Sequence, residues 1–323
     1  MFFLGLLLHF CVVLNGRKNM VNFIMIAFCI GAGMLLRKAK LIHAEAHKGI
    51  NTWILYFALP AVSFKYIPKI VWSSAMLFPI FSAILVWAGS WLFMEWYCKR
   101  KSYKQRSRSS LELAAGYSNT SFIGFPLIMA YFGEAQLPIA IICDQTTFIL
   151  LSTVGIINAL KANLHEGQSI DAKFMLWKLI TFPPLIGCLL ALTLSQFVDF
   201  SMAEPFFEKL VATVGPLALF SIGLQLKFDG WRQQAAQIST AMIYKLILAP
   251  LLVLSFALLL GVKGPVARIS IFEAAMPTLV TSGIIAEQYH LNTKLVNLVI
   301  GFSIVAGLIT TALWDLVIQF VIT

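Results

Sequence analysis

The chain has 323 residues, of which 59% are hydrophobic and 12% are charged, and its mean hydropathy is +0.85. This balance excludes an ordinary soluble globular domain and is typical of a protein embedded in a lipid bilayer. The formal net charge is +10, but the basic residues lie in short gaps between apolar runs, so we expect contact with lipid head groups and no nucleic-acid binding. The scattered cysteines lack CxxC or Cys/His grouping, which predicts buried thiols rather than disulfides or metal ligands; they are Cys11, Cys29, Cys98, Cys143 and Cys188.

A membrane-spanning helix needs about 20 mainly apolar residues, and ten stretches after residue 19 meet this requirement. In chain order they are Met20 to Leu36, Ile50 to Ile67, Trp72 to Tyr97, Leu111 to Gly133, Gln136 to Leu160, Phe174 to Phe197, Pro205 to Leu226, Ala235 to Gly261, Pro265 to Tyr289 and Leu295 to Ile322. The apolar segment ahead of them, Phe2 to Leu14, is short for a span. It is either an interfacial segment or a stretch that precedes a translation start at Met20, and both interpretations are open.

Lys and Arg are concentrated in the loops that follow odd-numbered spans, most densely at residues 37–48 and 99–108. The positive-inside rule makes these loops cytoplasmic and places both ends of the ten-span body outside. We therefore expect a multi-pass protein of the plasma membrane.

Proline landmarks recur in the same order in the two halves of the chain. Pro60 corresponds to Pro216, Pro79 to Pro250, and Pro126 to Pro277. We divide the chain into an N-terminal apolar segment (1–19), a first five-helix repeat (20–160), a cytoplasmic linker (161–173) and a second five-helix repeat (174–323). Since five is an odd number, the second repeat enters from the opposite side of the membrane, which makes an inverted repeat typical of secondary transporters.

Two spans carry residues that break helices. Gly124 and Pro126 should interrupt span four near its middle, because proline removes an amide donor and crowds the carbonyl of Phe122. Pro277 should interrupt span nine. Broken backbone at this depth persists only inside protein or beside a water-filled cavity, and two half-helix N-termini that meet there would suit an anion. The candidate substrate-binding residues are Asn119, Thr120, Ser121, Gly124, Pro126, Pro277, Thr278, Thr281 and Ser282. For either span alone, a proline kink relieved by Ser and Thr is the alternative.

Charged residues within spans indicate ion or proton coupling. Asp144 lies in span five beside Gln145, and it is the candidate proton carrier. Glu273 stands one turn before Pro277. Lys245 either snorkels to the cytoplasmic surface or forms a buried bridge to an acid, and both interpretations are open.

The sequence resembles the auxin efflux carrier family of bacterial and plant membrane transporters, from about Val21 to the C-terminus. The resemblance is carried by GAGMLLRKAKLI (Gly31 to Ile42), ALPA (Ala58 to Ala61), SNTSFIGFP (Ser118 to Pro126), FPPLIG (Phe182 to Gly187), GPLALFSIGLQL (Gly215 to Leu226), KLILAP (Lys245 to Pro250) and EAAMPTLVTSGIIAEQY (Glu273 to Tyr289).

The resemblance implies ten helices, a scaffold domain of spans one, two, six and seven, a transport domain that bears the crossing, and a possible homodimer. It also implies small organic anions as substrates, such as auxin, malate or malonate. Asn119, Pro126 and Pro277 match the family's crossing residues. Plant members have Asn at the second crossing, whereas this chain has Ala274, Ala275 and Met276 before Pro277.

We conclude that the sequence predicts an all-α membrane protein with ten transmembrane helices in two inverted five-helix repeats and with broken helices four and nine. The expected function is secondary or potential-driven transport of mono- or dicarboxylates by alternating access, with no resident cofactor or metal and with H⁺ or Na⁺ as a possible coupling ion. A sodium/proton antiporter and a non-transporting anion sensor are the alternatives. Motifs of hydrolases, nucleotide-binding proteins and metalloproteases are absent, so we do not expect an enzyme.

Overall fold

The computed structural model describes residues 17–43, 45–69, 73–162, 173, 177, 180–181, 183–226 and 228–322. Over these residues the chain is predominantly helical and contains no β-strand beyond one isolated bridge, which confirms the all-α prediction. The segment Phe2 to Leu14 and most of the predicted linker lie outside the described residues. Four of the cysteines are buried thiols outside any disulfide, as expected, and Cys11 falls outside this part of the chain.

The α-helices are numbered in chain order. They are α1 (Arg17–Lys38), α2 (Ala46–Trp53), α3 (Leu59–Tyr66), α4 (Leu77–Arg100), α5 (Gln105–Ala115), α6 (Phe125–Tyr131), α7 (Leu137–Leu150), α8 (Ile156–Lys161), α9 (Pro183–Leu194), α10 (Glu204–Val211), α11 (Val214–Gln225), α12 (Ala235–Ile243), α13 (Ala249–Leu260), α14 (Gly264–Ala274), α15 (Thr281–Gln288) and α16 (Thr293–Val321).

Five helical stretches are long and apolar enough to cross a membrane. These are Ser74–Arg100, Glu134–Lys161, Ser201–Gln225, Trp231–Leu260 and Thr293–Val321, within the part of the chain that was searched. Thr120–Tyr131 and Pro183–Leu194 are shorter apolar helices. Length and composition therefore identify a membrane protein.

The described residues divide into two compact units. The first is drawn from residues 1–73, 121–141 and 180–226, and the second from residues 74–120, 142–179 and 227–323. The first unit contains the residues of predicted spans one, two and seven and those of predicted span six from residue 180 on; the resemblance implies these four spans for a scaffold. Residues 121–141, from the predicted transport domain, join them.

Within the first unit, α1 and α11 make a close backbone contact. A Cβ atom on Gly33 or on Gly223 would overlap the backbone of the opposite helix, as expected where small residues let two membrane helices approach. Arg37 then donates from Nη1 to the carbonyls of Leu224 (2.8 Å) and Leu226 (3.1 Å). This guanidinium satisfies carbonyls at the C-terminus of α11, which have no partner within their own helix.

Three of the four π turns among the described residues run directly into a helix with proline at its second position. The prolines are Pro60, Pro126 and Pro250, and the π turns are Ile54–Ala58, Thr120–Gly124 and Tyr244–Leu248. The wider π turn accommodates a ring that would otherwise clash with the preceding turn. Pro126 therefore lies within a helix, and the non-helical residues of predicted span four are 116–119, ahead of Gly124 and Pro126, where the sequence predicts the break.

Helix α5 begins six residues before the predicted start of span four, at Gln105 rather than Leu111. Its first turns are charged, so hydropathy assigned them to the loop. Arg108 stabilises them by pairing with Glu95 and by donating from Nε to Glu112 at 2.9 Å.

Candidate functional site

The segments predicted as spans four and nine are both interrupted, and the two interruptions pair with each other inside the second unit. The chain is non-helical over residues 116–119, after α5, and over residues 275–280, between α14 and α15. These segments run antiparallel and meet in a bridge between Ser118 and Thr278. The chain is thus non-helical at Pro277, where the second break is predicted, and non-helical ahead of Gly124 and Pro126, where the first is predicted.

Two backbone hydrogen bonds close this crossing. The amide of Asn119 donates to the carbonyl of Pro277 at 2.8 Å, and the amide of Leu279 donates to the carbonyl of Tyr117 at 3.0 Å. Because lipid cannot satisfy backbone groups, broken helices need such partners within the protein. The crossing is thus a short two-stranded bridge.

A carbonyl in the last turn of α5 and one in the last turn of α14 each accept a hydrogen bond from a side chain. Thr278 donates from Oγ1 to the carbonyl of Ala114, in the last turn of α5, at 2.8 Å. Its own amide donates to Ser303 Oγ at 3.1 Å. In the other half, Lys245 donates from Nζ to the carbonyl of Ala274, the last residue of α14, at 2.9 Å. Thr278 therefore holds the crossing together, and its predicted contact with substrate stays a prediction.

Lys245 is the buried cation of the site. Its side chain is fully buried, and its Nζ also donates to Ser118 Oγ at 2.8 Å. Burial eliminates the snorkelling interpretation. The burial agrees with the second interpretation, a buried bridge to Asp144 or Glu273, but the hydrogen-bonding partners that the structure gives are a hydroxyl and a main-chain carbonyl, and the bridge itself stays a prediction.

The π turn Tyr244–Leu248 places Lys245 at this depth. Pro250 lacks the amide that an unbroken helix would direct at the carbonyl of Leu246. The indole Nε1 of Trp314 donates to that carbonyl instead, at 2.8 Å. The distorted turn is therefore satisfied by a side chain from α16, and this arrangement permits a lysine to face the interior.

Two buried carboxylates lie near the crossing. Thr120 donates from Oγ1 to Asp144 Oδ1 at 2.6 Å, and Asp144 is 1% exposed. Glu273 is 2% exposed, and neither of its carboxylate oxygens has a hydrogen-bond partner among the described residues. Gln145 is buried beside Asp144. The four predicted coupling residues are thus all buried in one unit.

A small cavity brings part of this set together. Its volume is about 10 Å³, close to the roughly 10 to 15 Å³ that one water molecule needs. It is lined by Ser82, Ala83, Val86, Ser118, Thr120, Cys143, Thr147, Glu273 and Ala274. Sequence reasoning missed Ser82 and Thr147. Ser82 had a signal, since it is a hydroxyl three residues after the landmark Pro79, to whose carbonyl it donates at 2.7 Å.

The crossing has two faces. In extended backbone successive side chains point to opposite sides, and Ser118 and Thr120 accordingly line the same cavity. Asn119, between them, does not line it, and alternation predicts that its side chain faces the opposite side. Its side chain is 0% exposed, and neither amide atom has a hydrogen-bond partner in the described chain. A buried amide without partners costs about 1 to 3 kcal/mol, and a ligand that binds it removes that penalty.

The other predicted binding residues are distributed between the units. Ser121, Gly124 and Pro126 belong to the first unit. Ser282 lies on α15 in the second unit, where its buried hydroxyl has no partner among the described residues, and the neighbouring Thr281 is partly exposed. Within the residues searched, no three His, Cys, Asp or Glu side chains gather where they could hold a metal ion.

The family model described as "Membrane transport protein" matches residues 19–315. An uncharacterized transporter of Methanothermobacter thermautotrophicus is 23% identical over 88% of this chain and 94% of its own length. One of Methanocaldococcus jannaschii is 28% identical over 84% of this chain and 89% of its own. A putative malonate transporter of Rhizobium meliloti is 23% identical over 76% of this chain and 78% of its own. The chain therefore belongs to the membrane transport protein family, that of the auxin efflux carriers, and is a membrane transporter rather than an enzyme.

Proposed function

We propose that this protein transports small organic anions, mono- or dicarboxylates such as malate, malonate or auxin-like acids, across the plasma membrane of a bacterium. One observation carries the proposal. The carboxamide of Asn119 is completely buried at a helix crossing and has no hydrogen-bond partner among the described residues. Its NH₂ group can donate a hydrogen bond to a carboxylate oxygen. The likeness to a putative malonate transporter supports the same substrate class.

The electrostatics of the crossing also favour an anion. Lys245 binds Ser118, the residue next to Asn119, so a buried positive charge lies behind the proposed anion-binding face. Positive charge held in a medium of low dielectric constant attracts an anion more strongly than it would in water.

The mechanism we propose is alternating access by two inverted five-helix repeats, with ten spans in all. The paired breaks in spans four and nine support it, because interrupted helices that cross near the bilayer midplane hold substrate in many secondary transporters. Labelling of single cysteines tests the topology. A cysteine at Ser102 should react only from the cytoplasm and one at Lys263 only from outside, whereas labelling from the same side would contradict the inverted repeat. The homodimer implied by the resemblance is tested by the mass of the solubilised particle.

Counterflow in proteoliposomes tests the function. Liposomes loaded with unlabelled malonate or malate should accumulate the labelled acid. Asn119→Ala should weaken apparent affinity about tenfold or more, the effect of losing a hydrogen bond to a charged group. Asn158→Ala is the matched control, because that amide already donates to Glu112 Oε2 at 3.2 Å. Equal affinity in the two variants would contradict the assignment of Asn119.

The alternatives give different results in the same assay. A sensor would bind a carboxylate, seen as a rise in melting temperature, without exchange. A sodium/proton antiporter would respond to sodium or pH and to no carboxylate. We keep the antiporter as the second candidate because Asp144, Glu273 and Lys245 are all buried beside the crossing.

Proton coupling through Asp144 is part of the proposal. One negative charge that leaves an inside-negative cell gains about 2.3 kcal/mol per 100 mV, so export needs no coupling ion, whereas import does. If Asp144 carries the proton, Asp144→Asn should abolish the pH dependence of transport. Unchanged pH dependence would exclude Asp144 from this role.

A further inference from the structure

The hydrogen-bonding partners of Lys245 are oxygen atoms of the kinds that commonly bind small cations in proteins. Its amine donates to a hydroxyl oxygen, Ser118 Oγ at 2.8 Å, and to a main-chain carbonyl, that of Ala274 at 2.9 Å. Ala274 is the last residue of the 11-residue helix α14, and the C-terminus of a helix carries partial negative charge. In discontinuous membrane helices, unwound carbonyls and half-helix C-termini are the usual ligands of coupling ions.

Two acidic side chains near Lys245 would favour a cation at this place. Glu273 precedes Ala274, lines the cavity together with Ser118, and lacks a hydrogen-bond partner among the described residues. Asp144 receives a hydrogen bond from Thr120, which lines the same cavity. In their ionised forms, two buried carboxyl groups beside a helix C-terminus are strongly unfavourable without compensating positive charge.

We propose that the ammonium group of Lys245 takes the place of a coupling cation, so that this transporter works without sodium, and that shortening Lys245 opens a monovalent-cation site. The ligands of that site would be Ser118 Oγ and the carbonyl of Ala274, with Glu273 supplying the negative charge. The inference deepens the proposed function but does not depend on the identity of the carboxylate. Ser118 and Asn119 point to opposite faces of the crossing, so the cation and the anion have separate positions.

Three forms of the full-length protein test this inference: wild type, Lys245→Ala and Lys245→Met. The alanine variant removes both the charge and the side-chain volume. The methionine variant removes the charge but keeps most of the volume, so it leaves no room for an ion. Thermal unfolding is measured in sodium, lithium, ethylammonium and choline chlorides at equal ionic strength. Choline is the reference, because its size excludes it from a small site.

We expect the melting temperature of wild type to be the same in all four salts, and likewise that of Lys245→Met. Lys245→Ala should melt higher in sodium, lithium or ethylammonium than in choline, because a ligand that binds only the native state stabilises it. Stabilisation of wild type by sodium would overturn the proposal, and so would a Lys245→Ala variant that responds to no cation. If Lys245→Ala does not fold, Lys245→Ser replaces it, and the wild-type measurement still decides whether sodium binds.

Flux gives the second readout. Carboxylate counterflow by wild type should be equal in sodium and choline. Counterflow by Lys245→Ala should be at least about tenfold slower in choline than in sodium, corresponding to about 1.4 kcal/mol. Sodium-dependent wild-type flux would overturn the inference. If wild type exchanges no carboxylate, the proposed function fails, while the unfolding data still decide the cation site.

Discussion

The hydrogen bond from Thr278 to Ala114 allows a direct test of the crossing. Thr278→Val keeps the shape of the side chain but removes the donor from a buried carbonyl in the last turn of α5. An unsatisfied buried polar group costs about 1 to 3 kcal/mol. At roughly 2 °C per kcal/mol for a chain of this size, the variant should melt about 2 to 6 °C below wild type.

The assay is thermal unfolding of purified protein in one detergent, with two reference variants. Thr278→Ser keeps the hydroxyl and should recover most of the loss. Thr240→Val removes a similar hydroxyl, but its partner, the carbonyl of Ala236 at 2.8 Å, lies within a continuous helix where a backbone amide also bonds it. That control should therefore change little. If Thr278→Val had the same melting temperature as Thr240→Val, the carbonyl of Ala114 would not need its side-chain partner. Our description of the crossing would then be refuted.

Two further predictions concern the remaining helix contacts. Trp314→Phe removes the indole that donates to the carbonyl of Leu246, and should cost about 1 to 3 kcal/mol. In a Pro250→Ala background, which restores a backbone amide, the loss measured by thermal unfolding should shrink, and an equal loss would contradict the explanation. Gly33→Ala places a methyl group against the backbone of α11 and should destabilise by about 1 to 3 kcal/mol. The control is Gly31→Ala, two residues away, where nothing lies within 4 Å of the new methyl group. This control should be neutral or stabilising by up to about 1 kcal/mol. Equal melting temperatures for Gly33→Ala and Gly31→Ala would count against the close contact.

The sequence predicted the elements whose cause is local. Apolar runs of membrane length indicate spans, and a proline with small polar neighbours indicates a break, so the interruption of span nine before Pro277 was found at its place. In span four the break was misplaced, because whether Pro126 interrupts a helix depends on the turn before it. A π turn at Thr120–Gly124 accommodates the ring, and no periodicity in the sequence distinguishes a π turn from an α turn.

The candidate site shows a second limit of the sequence. Asn119, Asp144 and Glu273 were identified from the sequence, because a polar residue in an apolar run is visible without a structure. The depth of Lys245 was not decidable, since a lysine five residues from a proline can snorkel or point inward. Its position depends on which neighbours accept hydrogen bonds from its amine, and those acceptors, Ser118 and Ala274, come from the predicted spans four and nine.

The two half-helices are held in different ways, and the difference bears on coupling. In one, the last-turn carbonyl of α5 is bound by Thr278, a neutral residue of the opposite crossing segment. In the other, the carbonyl of Ala274 is bound by Lys245, a charged residue from outside both crossing segments. Lys245 also binds Ser118, so a single ammonium joins the two broken spans. A change in its charge, or its replacement by a free ion, would act on both spans at once. A neutral hydroxyl at Thr278 has no such response, so our proposal places coupling at the Lys245 end of the crossing.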